Sequence, residues 1–210
     1  MEDGQTLISA LAMPLLKVEQ LKALMKKKVT ALSFEGIKDE YGRFPVLQAM
    51  SEIAGNAAVL IAAEYLTNVQ HGKGIMLGGI TGVPPSNVVI LGAGTVGMMS
   101  AKTALGLGAE VKVFDHSLHK LRRLKDSLPF PVFTSIIHPN ILHKALQSAD
   151  VLIGALRAGE GRTPCVVSEE MVASMKKGSV LVDVSIDQGG CIETSEVTHH
   201  HDPVFTRHDV

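Results

Sequence analysis

An α/β fold built on a doubly wound parallel sheet is the class that this chain of 210 residues predicts, and three observations predict it. From residue 87 onward, short apolar runs alternate with stretches of helical period, the pattern of strands joined by helical crossovers. The composition is 46% hydrophobic but only 4% aromatic, without Trp. Such a core of Ala, Val, Ile, Leu and Met suits parallel strands covered on both faces. Finally, Asn87-Val-Val-Ile-Leu-Gly-Ala-Gly-Thr-Val-Gly97 joins an apolar strand to a helix through a glycine turn.

Along the chain, a strand over 6–11 leads through Pro14 to a helix near 17–27 and a strand over 29–34, a βαβ-like piece. A loop through Gly36, Gly42 and Pro45 separates it from a helix over 46–66, which Gly55 interrupts. Glycine in mid-helix costs about 1 kcal/mol against alanine, so it marks close packing or ligand approach. The glycine-rich passage 71–80 that follows either binds phosphate or closes a loop onto the sheet. The second is favoured, because no helix start follows it directly. Strands are then expected over 88–91, 110–114, 132–135, 150–154 and 179–184, and helices over 95–107, 117–126, 140–148 and 168–176. Ser168 with Glu169 and Glu170 makes a good helix start and Gly178 a stop. Right-handed crossovers make the sheet parallel. Two parts result: residues 1–45, a partial segment of a second α/β domain, and residues 46–210, a Rossmann-like domain lacking its last strand.

Charge excludes several functions. The formal net charge is −1 and no basic stripe follows any expected helix, which argues against nucleic acid as a partner. Lys26, Lys27 and Lys28 read as a solvated helix end, where cations favour the dipole. Cys165 and Cys191 are too few for a disulfide framework and lack metal spacing, which fits a reduced, cytoplasmic compartment. No signal peptide opens the chain, and no apolar run is long enough to span a bilayer, 57–63 being the longest, so no membrane is expected. His199, His200 and His201 precede Pro203 in what reads as a surface loop, and no metal site is expected.

The glycine turn carries the chemistry. Gly92 permits the tight turn, Gly94 lets backbone approach phosphate, and Gly97 lets the helix pack close to the strand. The helix N-terminus then offers free N–H groups and a partial positive charge to a dinucleotide pyrophosphate. Asp115 ends the next strand about 20 residues on, where a carboxylate accepts ribose hydroxyls. It can equally cap the following helix, and the two roles are compatible. Ligands of such sheets sit beyond the carboxyl ends of the strands, which singles out 92–97, Asp115, 155–157 and 183–187. Asp187 can face the nicotinamide end of a dinucleotide, holding a ribose or the ammonium of an amino acid. An Asx-turn before Gly189 and Gly190 is the equal alternative.

Ala49-Met-Ser-Glu-Ile-Ala-Gly55, the run Gly72 to Ile80, the glycine turn, and Val182-Asp-Val-Ser-Ile-Asp-Gln-Gly-Gly190 together resemble the alanine dehydrogenase family, which includes the soluble subunit of proton-pumping nicotinamide transhydrogenase. Met-Ser-Glu-Ile-Ala-Gly and Ile-Asp-Gln-Gly-Gly resemble the dehydrogenase branch. The resemblance implies NAD as cofactor and oxidative deamination of alanine to pyruvate and ammonia, by hydride transfer and an imine. It implies that Gly92, Gly94, Thr95, Val96 and Gly97 hold the pyrophosphate, with Asp115 on the adenosine ribose and Lys120 beside it. Ser51 would reach the cofactor, Leu156 and Arg157 would line it, and Val184, Ser185, Ile186 and Asp187 would flank the nicotinamide, with Asp187 the catalytic candidate. A free Asp115 repels a 2′-phosphate and so favours NAD over NADP. A small amino-acid substrate and a homo-oligomer assembled through helix 46–66 are also implied.

Three departures from the family pattern set further expectations. The chain begins near the end of the first half of a split substrate domain, without the arginine and lysine that hold the substrate. Ala12 stands where the family carries a proton-donating histidine, and a methyl group cannot supply acid–base catalysis, typically worth about 10²- to 10⁴-fold. The chain also stops before the sixth strand, and its loop 155–164 is more charged than the family's apolar version. An incomplete or impaired dehydrogenase is the expected reading, with a non-catalytic NAD(H)-binding module or a transhydrogenase-like subunit as alternatives.

Overall fold

The computed structural model describes residues 1–11, 16–70, 72–157 and 161–210. It forms two compact units, Met1–Ser51 and Glu52–Val210. Ala12, His71 and residues 158–160 of the charged loop lie outside the described residues.

The first unit is a βαβ piece. Strand β1 (Thr6–Ser9) pairs in parallel with β2 (Thr30–Ser33), Thr6 opposite Thr30 and Ser9 opposite Ser33. Helix α1 (Val18–Lys26) joins them, and the Gln20 side chain accepts the Lys17 N–H at its start (3.1 Å). The lysine triplet closes α1: Lys26 lies in its last turn and Lys28 turns left-handed, with φ 50°. Both strands are shorter than expected, and a 3-10 turn over Phe34–Gly36 takes over directly after β2.

The second unit carries five parallel strands: β3 (Asn87–Leu91), β4 (Glu110–Asp115), β5 (Phe133–Ile136), β6 (Val151–Gly154) and β7 (Val180–Asp183). Their spatial order, β5-β4-β3-β6-β7, reverses direction at β3, so a crevice opens between the carboxyl ends of β3 and β6. Helices α3 (Thr95–Gly106), α4 (Leu118–Ser127), α5 (Pro139–Gln147) and α6 (Glu169–Ala173) make the connections. Strand alternation sorts the core into two layers. Val88, Ile90, Val113 and Ile153 join Ala101, Ala104 and Leu124 on one face, while Val89, Leu91, Phe114 and Leu152 join Leu142, Leu146 and Val172 on the other. α6 is shorter than the expected 168–176. Ser168 caps it by accepting the Met171 N–H (3.3 Å), but the Ser174 and Met175 N–H groups close turns onto Met171 and Val172 before Gly178 is reached.

Helix α2 (Pro45–Leu66) runs through the division between units. Gly55 marks close packing. A Cβ there would meet the Val96 carbonyl and Met99 Cβ, and the Ser100 hydroxyl donates to the Gly55 carbonyl (3.0 Å). The expectation that no segment is long and apolar enough to cross a bilayer is corrected here. At 22 residues with a mean hydropathy of 1.4, α2 meets both criteria by length and composition. Polar positions such as Glu52, Asn56 and Glu64 interrupt the apolar run without lowering its average far. Gly55, Ala58, Val59, Ala62 and Leu66 are buried along one stripe, while most of the helix is exposed or half-buried.

The glycine-rich passage lies at the amino edge of the sheet. The Gly74 and Ile75 N–H groups donate to the Leu66 carbonyl (2.9 and 3.2 Å), and Lys73 reaches Asp150 (3.4 Å) and Ser179 (3.2 Å) just before β6 and β7. The passage therefore closes a loop onto the sheet, away from its carboxyl edge. Asp150 organises this edge, accepting the Asn87 N–H (2.9 Å) and the Lys176 ammonium (3.0 Å). Burial pushes the Asp150 carboxyl up, but the Asn87 N–H and Lys176 outweigh it and hold it below the ordinary carboxylate range. Burial of Lys73, only partly offset by Asp150, lowers that ammonium.

Gly55→Ala is expected to cost about 1–3 kcal/mol of stability in urea denaturation, by overpacking. Gly106→Ala, where a Cβ meets nothing within 4 Å, is expected to be neutral or stabilising. Asp150→Asn is expected to cost about 2 kcal/mol at neutral pH. Because the folded-state pKa is depressed, that contribution is full above the unfolded carboxylate pKa of about 3.9 and is lost as pH falls through the folded value. Denaturation measured across acid pH should show the two curves converging only there.

Candidate functional site

The turn after β3 is shaped by what a side chain would strike. At Gly92 (φ 107°) a Cβ would meet the Ala155 carbonyl beyond β6, and at Gly97 it would meet the Gly92 carbonyl. The chain can thus turn tightly, with α3 packed against the end of β3. Above Gly94, by contrast, a Cβ would meet nothing within 4 Å. Gly94 is the N-cap of α3 and supplies no capping side chain, so the first-turn N–H groups around Thr95 and Val96 face that open space uncapped. This is an anion-binding geometry, and the residues present fit the pyrophosphate of a dinucleotide.

Asp115 ties the turn to the neighbouring strand. Its Oδ2 accepts the Ala93 N–H and its Oδ1 the Ser117 N–H, both at 2.7 Å, and only 4% of the residue is exposed. The alternative role expected for Asp115 is corrected: it closes an Asx-turn, while Ser117 caps α4 by accepting the Lys120 N–H (3.3 Å). Each Asp115 oxygen keeps a further lone pair for a hydroxyl donor. Lys120 is exposed in the first turn of α4.

On the β6 side of the crevice, the segment after β6 meets the segment after β7. Leu156 is buried, and its carbonyl accepts the Ser185 hydroxyl (2.7 Å). Val184 N–H donates to the Gly154 carbonyl (2.8 Å), and Arg157 is exposed. Ile186 and Asp187 stand on a 3-10 turn, Ile186–Gln188, where the Asp187 side chain is exposed. The Asx-turn of this segment belongs to Asp183, whose Oδ1 accepts the Ser185 N–H and whose Oδ2 accepts the Cys191 N–H, both at 3.0 Å. The glycine turn, Asp115, Leu156 and Ser185 thus share the carboxyl edge of one sheet. Ser51 falls in the first unit, on α2.

Asp183 lies in the segment 183–187 that the sequence singles out, whereas nothing in the sequence marks Arg162 and Thr163 as site residues. Arg162 donates through Nε (3.3 Å) and Nη2 (3.1 Å) to the Gly189 carbonyl, and the Thr163 N–H donates to the Gln188 carbonyl (2.9 Å). An arginine before Thr-Pro in a loop after a strand carries no local signal of its target. Among the described residues, no group of three or more His, Cys, Asp or Glu is placed to hold a metal ion. His199 and His201 stack their rings 5.7 Å apart in a turn that His199 and Asp202 close.

Fold and glycine turn together define a Rossmann-type nucleotide-binding domain. The chain belongs to the alanine dehydrogenase/PNT family, whose C-terminal-domain profile matches residues 58–210. The alanine dehydrogenase of Bilophila wadsworthia is 42% identical over 187 residues, covering 88% of this chain and 50% of that protein. A solved L-alanine dehydrogenase superposes with a TM-score of 0.90 at 37% identity, covering 100% of this chain and 58% of that one. The transhydrogenase from Sinorhizobium meliloti follows at 0.75 and 25% identity, covering 93% of this chain and 57% of that one. The chain spans about half the length of the curated relatives it matches.

Both thiols are free, and they differ in reactivity. Burial, helped by the Asp183 carboxylate, pushes the Cys191 thiol up to about 12. Cys165 is exposed and raised more modestly, by partial burial and then Glu193. Iodoacetamide at mildly alkaline pH should therefore alkylate Cys165 in the folded chain and Cys191 only after unfolding, as peptide mass spectrometry would show.

Proposed function

We propose that this chain forms the NAD-binding half of an alanine dehydrogenase-type oxidoreductase, converting L-alanine, NAD and water to pyruvate, ammonia and NADH. The uncapped N-terminus of α3 over the open space at Gly94, with the turn tied to Asp115, is the observation that carries this reading. Gly92, Gly94, Thr95, Val96 and Gly97 would hold the pyrophosphate, and Asp115 would accept the adenosine ribose hydroxyls, with Lys120 beside it. Leu156, Arg157 and the segment Val184 to Asp187 would line the nicotinamide end, and Ser51 would reach the cofactor from α2. Those residues would hold the nicotinamide, whose chemistry when bound would be acceptance of a hydride from an amino-acid substrate. Asp187, exposed on its turn, would hold the nicotinamide ribose or the substrate ammonium.

The βαβ piece of the first unit is read as part of the substrate domain. Ile53 and Leu60, exposed at 68% and 56% seven positions apart on α2, support a homo-oligomer assembled through that helix. The free thiols fit a cytoplasmic setting. A second reading, a non-catalytic NAD(H)-binding module, is favoured by Ala12, a methyl group where the family carries its proton donor.

Titration of the chain with NADH, followed by nicotinamide fluorescence, should give saturable binding, with NADPH weaker by about tenfold or more. Asp115→Asn keeps an acceptor but loses the charge, so the preference for NADH should shrink. Absence of binding to either nucleotide would overturn the proposal. Turnover of NAD with alanine then separates the enzyme from the module.

A further inference from the structure

We infer that Arg162 is a positioning residue for the nicotinamide end of the site: by gripping the Gly189 carbonyl it sets the turn on which Asp187 stands. The inference rests on the cofactor reading above and goes beyond it, because it adds a residue that touches neither cofactor nor substrate.

The turn after β7 is held from two sides. From within, Asp183 accepts the N–H groups of Ser185 and Cys191 (3.0 Å each), which fixes where the turn begins and where the chain leaves it. From outside, the neighbouring segment after β6 supplies three ties: the Leu156 carbonyl to the Ser185 hydroxyl (2.7 Å), the Thr163 N–H to the Gln188 carbonyl (2.9 Å), and the Arg162 guanidinium to the Gly189 carbonyl (3.1 and 3.3 Å). Two of these use buried groups and build the fold: Ser185 and Thr163 are 5% and 3% exposed. Arg162 is different, an exposed side chain donating two hydrogen bonds to one backbone oxygen.

Its target also matters. Gly189 is the C-cap of the 3-10 turn and lies left-handed, with φ 104°. A Cβ there would strike the Arg162 side chain, so the guanidinium stem packs directly over a glycine that must remain one. Asp187 is two residues upstream on that single turn, its side chain exposed. A short 3-10 turn holds few internal hydrogen bonds, so an external grip on its last carbonyl decides how well it is ordered. Charged donors to a backbone carbonyl are stronger than neutral ones, and two from one rigid fork fix direction as well as distance.

The test compares NADH with ADP-ribose, which keeps the adenosine and pyrophosphate but lacks the nicotinamide, in the whole chain. Arg162→Ala should weaken NADH by about three- to tenfold and leave ADP-ribose unchanged, while Arg162→Lys, keeping one donor, should recover part of the loss. In an Asp187→Ala background, Arg162→Ala should have little further effect on NADH, since both act through one turn. Equal weakening of both ligands would make Arg162 a general structural residue and overturn the inference. So would unchanged NADH affinity, or full additivity with Asp187→Ala. In each of these cases wild-type binding leaves the cofactor reading standing. Failure of the wild-type chain to bind either ligand would overturn both.

Discussion

Backbone-to-backbone approach at the carboxyl ends of β3 and β6 is the constraint on which the rest of the second unit depends. Gly92 places its α-carbon where a Cβ would strike the Ala155 carbonyl, and Gly97 sits equally close to the Gly92 carbonyl. With those two positions bare, α3 can start directly over the strand end and aim its uncapped N–H groups into the crevice at the switch point of the sheet. A side chain at Gly97 would push the helix away from the strand end, and one at Gly92 would push the turn away from the segment after β6. The core is built to hold this approach: small residues, Ala101 and Ala104 on α3 and Ala58 and Ala62 on α2, let the helices lie close to the sheet.

The two edges of the sheet use their carboxylates differently. At the amino edge, Asp150 satisfies a backbone N–H and two ammonium groups, and its charge is consumed by folding. At the carboxyl edge, Asp115 and Asp183 each accept two backbone N–H groups, and neither forms a salt bridge among the described residues. Asp115, paired with backbone amides, keeps lone pairs for a hydroxyl donor, whereas Asp183 also accepts the Cys191 thiol (3.7 Å). Burial holds Asp115 in one orientation. The same residue type thus serves as an ion-pair anchor at one edge and as a backbone-bound turn former at the other.

Much of this was legible in the sequence, for identifiable reasons. β3 to β7 are apolar-rich runs bounded by turn residues, and those of β3 and β6 are almost wholly buried, so their positions were read to within a residue or two. Gly92, Gly97 and Asp115 stand at spacings that only one kind of turn requires. What escaped was non-local. The grip of Arg162 on Gly189 spans 27 residues and has no periodic signature. Asp183, inside a strand that reads as apolar, became visible as a knot only when Ser185 and Cys191 were seen to converge on it. α6 ended early because Ser174 and Met175 bond back onto Glu170 and Val172, a competition of local turns that a start and a stop signal do not reveal. The apolar character of α2 was hidden by polar residues on one side of a helix whose average remains high.

Asp183 and Asp187, four positions apart, show how one segment divides its work. Asp183 is spent inward: both oxygens accept backbone N–H groups, and a Cβ at Gly154 on the adjoining strand would meet its Oδ1 at 2.8 Å. Its replacement would loosen the whole turn. Asp187 points the other way, exposed on a 3-10 turn whose ends are fixed by Asp183 on one side and by Arg162 and Thr163 on the other. An exposed charged group on a loop is ordinarily free to wander. Here the backbone is held on both sides of Asp187 while its side chain stays exposed.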